Sequence, residues 1–201
     1  MTMGRSRTVE AFLRAAFRKR QFTVLVCESA PSHTGRAQAL ALARAGVPCV
    51  LVPDSNAYAL LSRCSKVVLG AKDVLADGSV RALAGSHALA LAAHALHVPV
   101  IVTAAIFKFA PAVLGPSGGA HWHARDVQAL ALSNDPGADS DDDDDDGDGA
   151  RSFEGAQEEH ETVTVSAGYD LVAARLVALY ISNLGAHPPA LLHRLLSDQY
   201  S

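Results

Sequence analysis

The stretch KVVLGAKDVLADGSVRALAGSHALALAAHALHVPVIVTAAIFKF, residues 66–109, decides the fold. It runs from an apolar segment through an Asp77-Gly78 turn and an Ala-, Leu- and His-rich stretch to a second apolar segment at 98–105. This order predicts strand, loop, helix and strand. The triplet Gly70-Ala71-Lys72 follows the first strand, at the edge where open α/β sheets carry their ligand-binding or catalytic groups.

The residues before this stretch repeat the same alternation. Short continuous apolar runs predict strands buried on both faces, and amphipathic or Ala/Leu-rich stretches predict helices. The predicted elements are a helix at 9–20 capped by Thr8, a strand at 23–27, a helix at 35–45 closed by Gly46, a strand at Cys49–Val52, a helix to 63 capped by Asp54 or Ser55, a strand at 66–69, a helix at 85–97 and a strand at 98–103. We therefore expect an α/β fold, a Rossmann-like doubly wound parallel sheet with flanking helices.

Composition divides the chain into four parts. Residues 1–20 form a helix leading into the domain, 21–114 the Rossmann-like core, 115–161 an acidic low-complexity insertion, and 162–201 the strand and helices that complete the domain. The insertion contains DDDDDDGDG at 141–149, and we expect it to be disordered because it cannot bury enough apolar surface. In the last part we predict a strand at 162–165 and, over 169–182, either a helix or an extended segment followed by a helix. A turn at Asn183-Leu184-Gly185 and an amphipathic helix at 189–200 are predicted to follow.

Charge and cysteine content argue against several classes of function for this chain. The net charge of the chain is −4, but the charges are unevenly distributed. Residues 135–161 contain nine Asp, four Glu and one Arg, whereas the rest of the chain has 16 basic and eight acidic residues and therefore a net charge of about +8. Six basic residues in the first twenty are read as the solvated face of a helix, since no nucleic-acid motif accompanies them. Three cysteines without a CxxC pair indicate neither a disulfide framework nor a zinc site, and we expect Cys27 and Cys49 to be inert. The absence of a signal peptide or membrane-spanning run favours the cytosol.

Candidate chemistry lies just past the strand ends. Glu28, Asp54 and Lys72 share one edge of the predicted sheet, where a carboxylate pair could act as acid and base. Thr34 and Gly35 open a helix and, with Asp54 nearby, are candidates for an anion site. The alternative roles are structural. Ser32, Thr34 or Asp54 would cap a helix, and Glu28 would accept hydrogen bonds from loop N–H groups. His121-Trp122-His123 is a weak metal candidate. We predict no catalytic, cofactor or metal site and no cofactor.

Four stretches together resemble a known family. They are 4–31 (GRSRTVEAFLRAAFRKRQFTVLVCESAP), 62–102, FKFAP at 107–111, and ISNLGAHPPALLHRLLSDQY at 181–200. They are similar to the C-terminal domain of the beta subunits of translation initiation factor 2B, over nearly the whole chain except 115–161. The resemblance implies a Rossmann-like domain, preceded in those subunits by an N-terminal helical domain that we expect to be missing from this chain.

The same superfamily contains sugar-phosphate isomerases, whose motifs this chain alters. Their Glu-Ser/Thr-Arg-Pro loop reads Glu28-Ser29-Ala30-Pro31, which lacks the guanidinium. Their Gly-Ala-Asp reads Gly70-Ala71-Lys72, with an ammonium group where the resemblance implies a catalytic carboxylate. Their Asn-Lys-Ile-Gly reads Ala82-Leu83-Ala84-Gly85, without the phosphate-binding cation. Each missing cation removes charge-assisted hydrogen bonds of about 1.5–3 kcal/mol.

The resemblance therefore implies assembly and not catalysis. It predicts a regulatory subunit domain of the guanine-nucleotide exchange complex for translation initiation factor 2, which responds to phosphorylation of that factor's alpha subunit. The implied partners are a homologous delta-type subunit, the other subunits of the complex and initiation factor 2, with no direct contact to nucleic acid or membrane. The interface is expected around Thr23, Leu25 and Val50, and the isolated domain is expected to self-associate there. The alternative is a sugar-phosphate or nucleotide-binding domain derived from an isomerase.

Overall fold

A seven-stranded sheet forms the centre of the molecule. The computed structural model describes residues 1–110, 127–131 and 163–200. Strands β1 (Thr2–Met3), β2 (Val24–Cys27) and β3 (Cys49–Val52) pair in parallel, in the order β1-β2-β3. The other half has the order β12-β11-β7-β4, and its strands are β4 (Val67–Gly70), β7 (Val100–Thr103), β11 (Leu179–Ser182) and β12 (Gly185–His187). A hydrogen bond of 2.9 Å from Val68 N to Met1 O joins the two halves.

Helices cover both faces of this sheet, which confirms the predicted doubly wound architecture. On one face, α1 (Arg7–Phe17) and α2 (Thr34–Arg44) pack through Val9, Leu13 and Leu42 against Val26 and Val68. On the other face, α3 (Ala57–Leu61) and α4 (Ser86–Ala95) pack against Val67 and Leu69. Successive side chains of β4 thus enter opposite cores, as the period of two along a strand requires.

Most predicted elements lie within two or three residues of their observed positions. The first helix begins earlier than predicted, because Ser6 and not Thr8 is its N-cap, and Ser6 Oγ accepts from Val9 N. Gly46 closes α2 as predicted, with a φ of +79° in the left-handed region that glycine adopts without strain. The predicted helix from 54 to 63 is a 3-10 turn, Asp54–Asn56, followed by the short helix α3.

Two predictions about connections are wrong. The loop predicted between β4 and α4 contains β5 (Asp73–Val74) and β6 (Val80–Leu83), which form an antiparallel sheet with β10 (Tyr169–Val172). The helix predicted within 169–182 is absent, since β10, a 3-10 turn at Ala174–Leu176 and β11 fill that span. The β11–β7 and β10–β6 ladders supply its backbone hydrogen bonds, so pairing with distant strands decides this segment.

The C-terminal part completes the same core. The turn at Asn183-Leu184 is as predicted, and the last helix, α5 (Leu192–Tyr200), follows a 3-10 turn at Pro189–Leu191. Strand β9 (Val163–Ala167) pairs antiparallel with β8 (Val127–Ala131), so at least these five residues of the predicted insertion form a strand. The rest of 115–161, including the Asp run and His121-Trp122-His123, lies outside the described residues. No helix among the described residues is long and apolar enough to cross a membrane.

Candidate functional site

Asp54 closes the loop after β2 at the carboxyl edge of the sheet. Its Oδ1 accepts from Ser29 N at 3.0 Å, and its Oδ2 accepts from Ala30 N at 2.7 Å. Glu28, predicted as the acceptor for these loop N–H groups, instead lies 3.4 Å from His33 Nδ1. The prediction that Glu28 and Asp54 share an edge is therefore consistent with the structure. The Asp54 carboxylate has a structural role there, because two backbone donors already occupy it.

The start of α2 is closely packed against the end of β2 and against Gly4. Gly35 N donates to Glu28 O at 3.0 Å, and a Cβ at Gly35 would lie 2.0 Å from Cys27 O. A Cβ at Gly4 would lie 3.0 Å from Thr34 Oγ1 and 2.6 Å from Leu83 Cδ1. Gly35 N is therefore already hydrogen-bonded within the fold, whereas the buried Thr34 Oγ1 has no hydrogen-bond partner among the described residues. Ser32 and Thr34 do not cap the helix, because its N-cap is His33, with φ +47° and no capping side chain.

Lys72 lies in the position of the carboxylate in the isomerase motif, and its side chain points to an aromatic ring. Its Nζ is 4.2 Å from the centroid of Tyr169, a cation–π contact with strand β10. Its backbone N donates to Arg81 O at 2.8 Å, which ties it to β6. An exposed ammonium group held in this way can neither accept a proton from a substrate carbon nor pair with a metal ion.

A carboxylate from the far end of the chain occupies the start of α4. Asp170 Oδ2 accepts from Gly85 N at 2.7 Å and from His87 N at 3.1 Å, at the positive end of the helix dipole. His87 Nδ1 lies 2.7 Å from Leu171 O, which anchors the same strand to the helix. Sequence reasoning missed Asp170, because 85 residues separate it from Gly85 and no local pattern marks the pair.

A groove lies at the opposite edge of the sheet, where the strands begin. It has a volume of about 1060 Å³ and contains all three residues predicted for the subunit interface, Thr23, Leu25 and Val50. Leu25 and Val50 are register partners in the β2–β3 ladder, and Val50 is 48% exposed. The further lining residues are Met1, Phe12, Leu13, Ala16, Arg20, Gln21, Phe22, Val24, Leu60, Arg63, Cys64, Ser65, Lys66, Val68 and Ile101. We call this feature the strand-start groove.

The chemistry of the strand-start groove is that of a binding surface for apolar side chains. The floor of the groove around the exposed Val50 consists of partly buried apolar side chains, those of Phe12, Phe22, Leu25 and Leu60. Its titratable lining groups are basic or thiol side chains, and no acidic residue is among them. A general base or a carboxylate–metal pair is therefore absent from its lining.

The thiols and remaining polar clusters add no reactive site among the described residues. Burial raises the pKa of the Cys27 thiol to about 12, and the Asp54 carboxylate adds to the rise. Burial also raises the pKa of Cys49. Thiols with raised pKa values are poor nucleophiles at neutral pH. In the described parts of the chain, no three His, Cys, Asp or Glu side chains are placed to hold a metal ion.

Comparison with known sequences points to one family. Residues 1–189 match the family described as the initiation factor 2 subunit family. The chain is 36% identical over 200 residues to translation initiation factor eIF2B subunit beta of Dictyostelium discoideum. It is 32% identical over 202 residues to the subunit of the same name in Schizosaccharomyces pombe. All of this chain is covered in both cases, but it spans only 46% of each relative's length.

Solved structures share the fold. A translation initiation factor eIF-2B from Pyrococcus horikoshii OT3 has a TM-score of 0.71 and 24% identity, covering 94% of this chain and 57% of that one. The tetrameric eIF2B-beta2-delta2 complex from C. thermophilum has a TM-score of 0.68 and 24% identity, covering 99% of this chain and 53% of that one. These similarities confirm the Rossmann-like α/β fold predicted from the sequence.

Proposed function

This chain belongs to the initiation factor 2 subunit family, and from that membership we propose that it is a non-catalytic subunit domain of the guanine-nucleotide exchange complex for translation initiation factor 2. It acts in the cytosol by binding a homologous delta-type subunit and, through the assembled complex, initiation factor 2. Its part in regulation is to help the complex respond to phosphorylation of the factor's alpha subunit. Support comes from identity to beta subunits over the whole chain and from the beta–delta complex that shares its fold.

One contrast between the two edges of the sheet carries this proposal. At the carboxyl edge, Asp54 and Asp170 accept backbone N–H groups, and Lys72 lies over Tyr169. At the strand-start edge, an apolar groove is open, with Val50 48% exposed. An edge whose carboxylates and lysine are held by contacts within the fold is poorly suited to chemistry, whereas an open apolar groove is typical of a surface that binds another protein.

The first test is co-purification of the full-length protein with the delta-type subunit from the same organism. We expect a stable complex, and Val50→Asp should weaken it at least tenfold because the carboxylate would be buried without a partner. Leu51→Asp is the matched control: Leu51 is 41% exposed on the next position of the same strand and does not line the groove. Failure of the wild-type protein to bind, or equal losses in both variants, would contradict assembly through Thr23, Leu25 and Val50.

The second test addresses the alternative of a sugar-phosphate or nucleotide site at Thr34, Gly35 and Asp54. Thermal unfolding is measured with sugar phosphates and nucleoside monophosphates at millimolar concentration. A ligand at 100 times its Kd would stabilise the fold by about 2.7 kcal/mol. We expect no shift, because Gly35 N and both carboxylate oxygens of Asp54 are already hydrogen-bonded within the fold. A shift abolished by Thr34→Asp or Asp54→Arg would favour the alternative.

A further inference from the structure

The rim of the strand-start groove carries three cations. Arg20 precedes β2, while Arg63 and Lys66 precede β4, and all three side chains are exposed. The ion pairs of the described residues are Arg14–Glu10, His33–Glu28 and Arg81–Asp73, so none of them involves the rim. With no acidic residue in the lining, the groove combines an apolar floor with a positive rim.

A second copy of this chain is a poor occupant for such a groove. In a two-fold contact the same patch meets itself, so the cations of each rim would meet a lining that contains no carboxylate. Like charges brought together at an interface are repulsive, and partner choice commonly depends on such pairs. The rim therefore opposes the self-association that the apolar floor alone would favour.

We propose that the groove selects a partner surface in which apolar side chains are flanked by carboxylates. This inference rests on the proposed function, and it assigns that acidic surface to the homologous delta-type subunit. The apolar floor takes the partner's aliphatic or aromatic side chains. Arg20, Arg63 and Lys66 pair with the flanking carboxylates, accelerate encounter and disfavour homodimers. A nucleic acid is a weaker fit, because half-buried Phe12, Leu25 and Leu60 offer no polar groups to its phosphates.

The test compares charge-reversal variants of the full-length protein for binding to the delta-type subunit. The rim variant is Arg63→Glu with Lys66→Glu. The control is Arg36→Glu with Arg194→Glu, which changes the net charge equally at exposed positions outside the groove, both in the first turns of helices where Glu is favoured. Far-UV circular dichroism and thermal unfolding establish that both variants are folded.

We expect the rim variant to bind about tenfold or more weakly at low salt and the control to stay within about twofold of the wild type. Affinity of the wild type should fall between 50 and 500 mM salt, and the rim variant should lose that dependence. If rim and control variants behave alike, or wild-type affinity is insensitive to salt, the inference is overturned while the proposed function stands. If the wild type does not bind at all, the proposed function fails first.

Three further measurements test whether a different occupant fills the groove. Sedimentation of the free protein should show weaker self-association than that of the rim variant, since reversal removes the repulsion; tighter self-association of the wild type would overturn the inference. Deletion of 137–149 should leave partner affinity within about twofold. A tenfold gain would mean that the chain's own Asp-rich segment occupies the groove, and an RNA oligomer that displaces the partner would assign the rim to nucleic acid.

Discussion

At the scale of single residues, the polar groups that looked most like chemistry are bound within the fold. The sequence placed Glu28 and Asp54 at one edge of the sheet, since both follow strands. It could not show which backbone donors each would meet, because that depends on loop geometry. Asp54 contacts Ser29 and Ala30, and Asp170 contacts Gly85 from the other end of the chain. The contact of Lys72 with Tyr169 also joins residues far apart in the chain, so no local pattern could predict it.

Gly35 is required for the close approach of α2 to β2. A Cβ at this position would lie 2.0 Å from Cys27 O and 2.7 Å from Glu28 Cα, and backbone atoms cannot move aside easily. We expect Gly35→Ala to lower the free energy of unfolding by about 3 kcal/mol or more. Gly46→Ala is the control, because it meets no atom within 4 Å and loses only the left-handed preference at φ +79°, about 1–2 kcal/mol. Urea titrations that gave equal losses would contradict the close contact.

The buried thiol of Cys27 should make the fold sensitive to alkaline pH. Its pKa is about 12 in the folded chain against 9.0 unperturbed, so above pH 9 only the unfolded state loses this proton readily. Stability is therefore complete below pH 9 and falls as the pH rises towards 12. We expect a loss of about 1–2 kcal/mol from this group between pH 8 and 10.5.

Cys27→Ala should reduce that alkaline loss while lowering stability at pH 8, because it removes the titrating group and leaves a small cavity. The raised pKa values of Cys49 and Tyr180 act in the same direction and are common to both proteins. Chemical unfolding at the two pH values measures the difference. An alkaline loss of equal size in the variant would show that Cys27 does not cause it.

At the scale of elements, the sequence predicts what is local and misses what is paired at a distance. The strands at 24–27, 49–52 and 67–70 follow from continuous apolar runs bounded by turns. Strand β1 has two residues and no periodic signal, although it joins the halves of the sheet. The sequence predicts a helix in at least part of 169–182, but hydrogen bonding to β6 and β7 makes β10 and β11 strands. Such tertiary pairing overrides local preference.

The last helix is predicted to be part of the core through one face only. Leu192 is fully buried at the start of α5, whereas Leu191, one residue earlier, is 49% exposed. Leu192→Ala should lower the free energy of unfolding by about 2–5 kcal/mol, because it leaves a cavity in the main core. Leu191→Ala removes the same atoms at the surface and should cost less than about 0.5 kcal/mol. Similar unfolding midpoints for the two variants would mean that α5 does not dock through Leu192.

At the scale of the whole molecule, the two edges of the sheet differ in structure. At the carboxyl edge, β10 of the small sheet places Asp170 against the start of α4, and Asp54 accepts N–H groups of the loop after β2. The amino edge is open and holds the strand-start groove. This difference suits the proposed assembly, since a domain whose carboxylates are held within the fold can present one surface without reorganising its core.

We predict that the domain folds without the Asp-rich segment at 137–149. Deletion of 137–149 removes eight Asp and three Gly residues, a composition too polar to add to a core, so cooperative unfolding should persist with a midpoint close to that of the wild type.

The loop closed by the deletion becomes shorter, and a shorter loop costs slightly less entropy to close, so a small gain in stability is the most that we expect. A matched control keeps the length and replaces the six Asp residues at 141–146 with Ser, which separates the effect of charge from that of length. Both variants are compared with the wild type by thermal unfolding at low and high salt. Because like charges repel within the run, the Ser variant should be at least as stable as the wild type at low salt and equal to it at high salt. Loss of cooperative unfolding in the deletion variant, with the Ser variant unchanged, would mean that the length of this segment is needed for the fold.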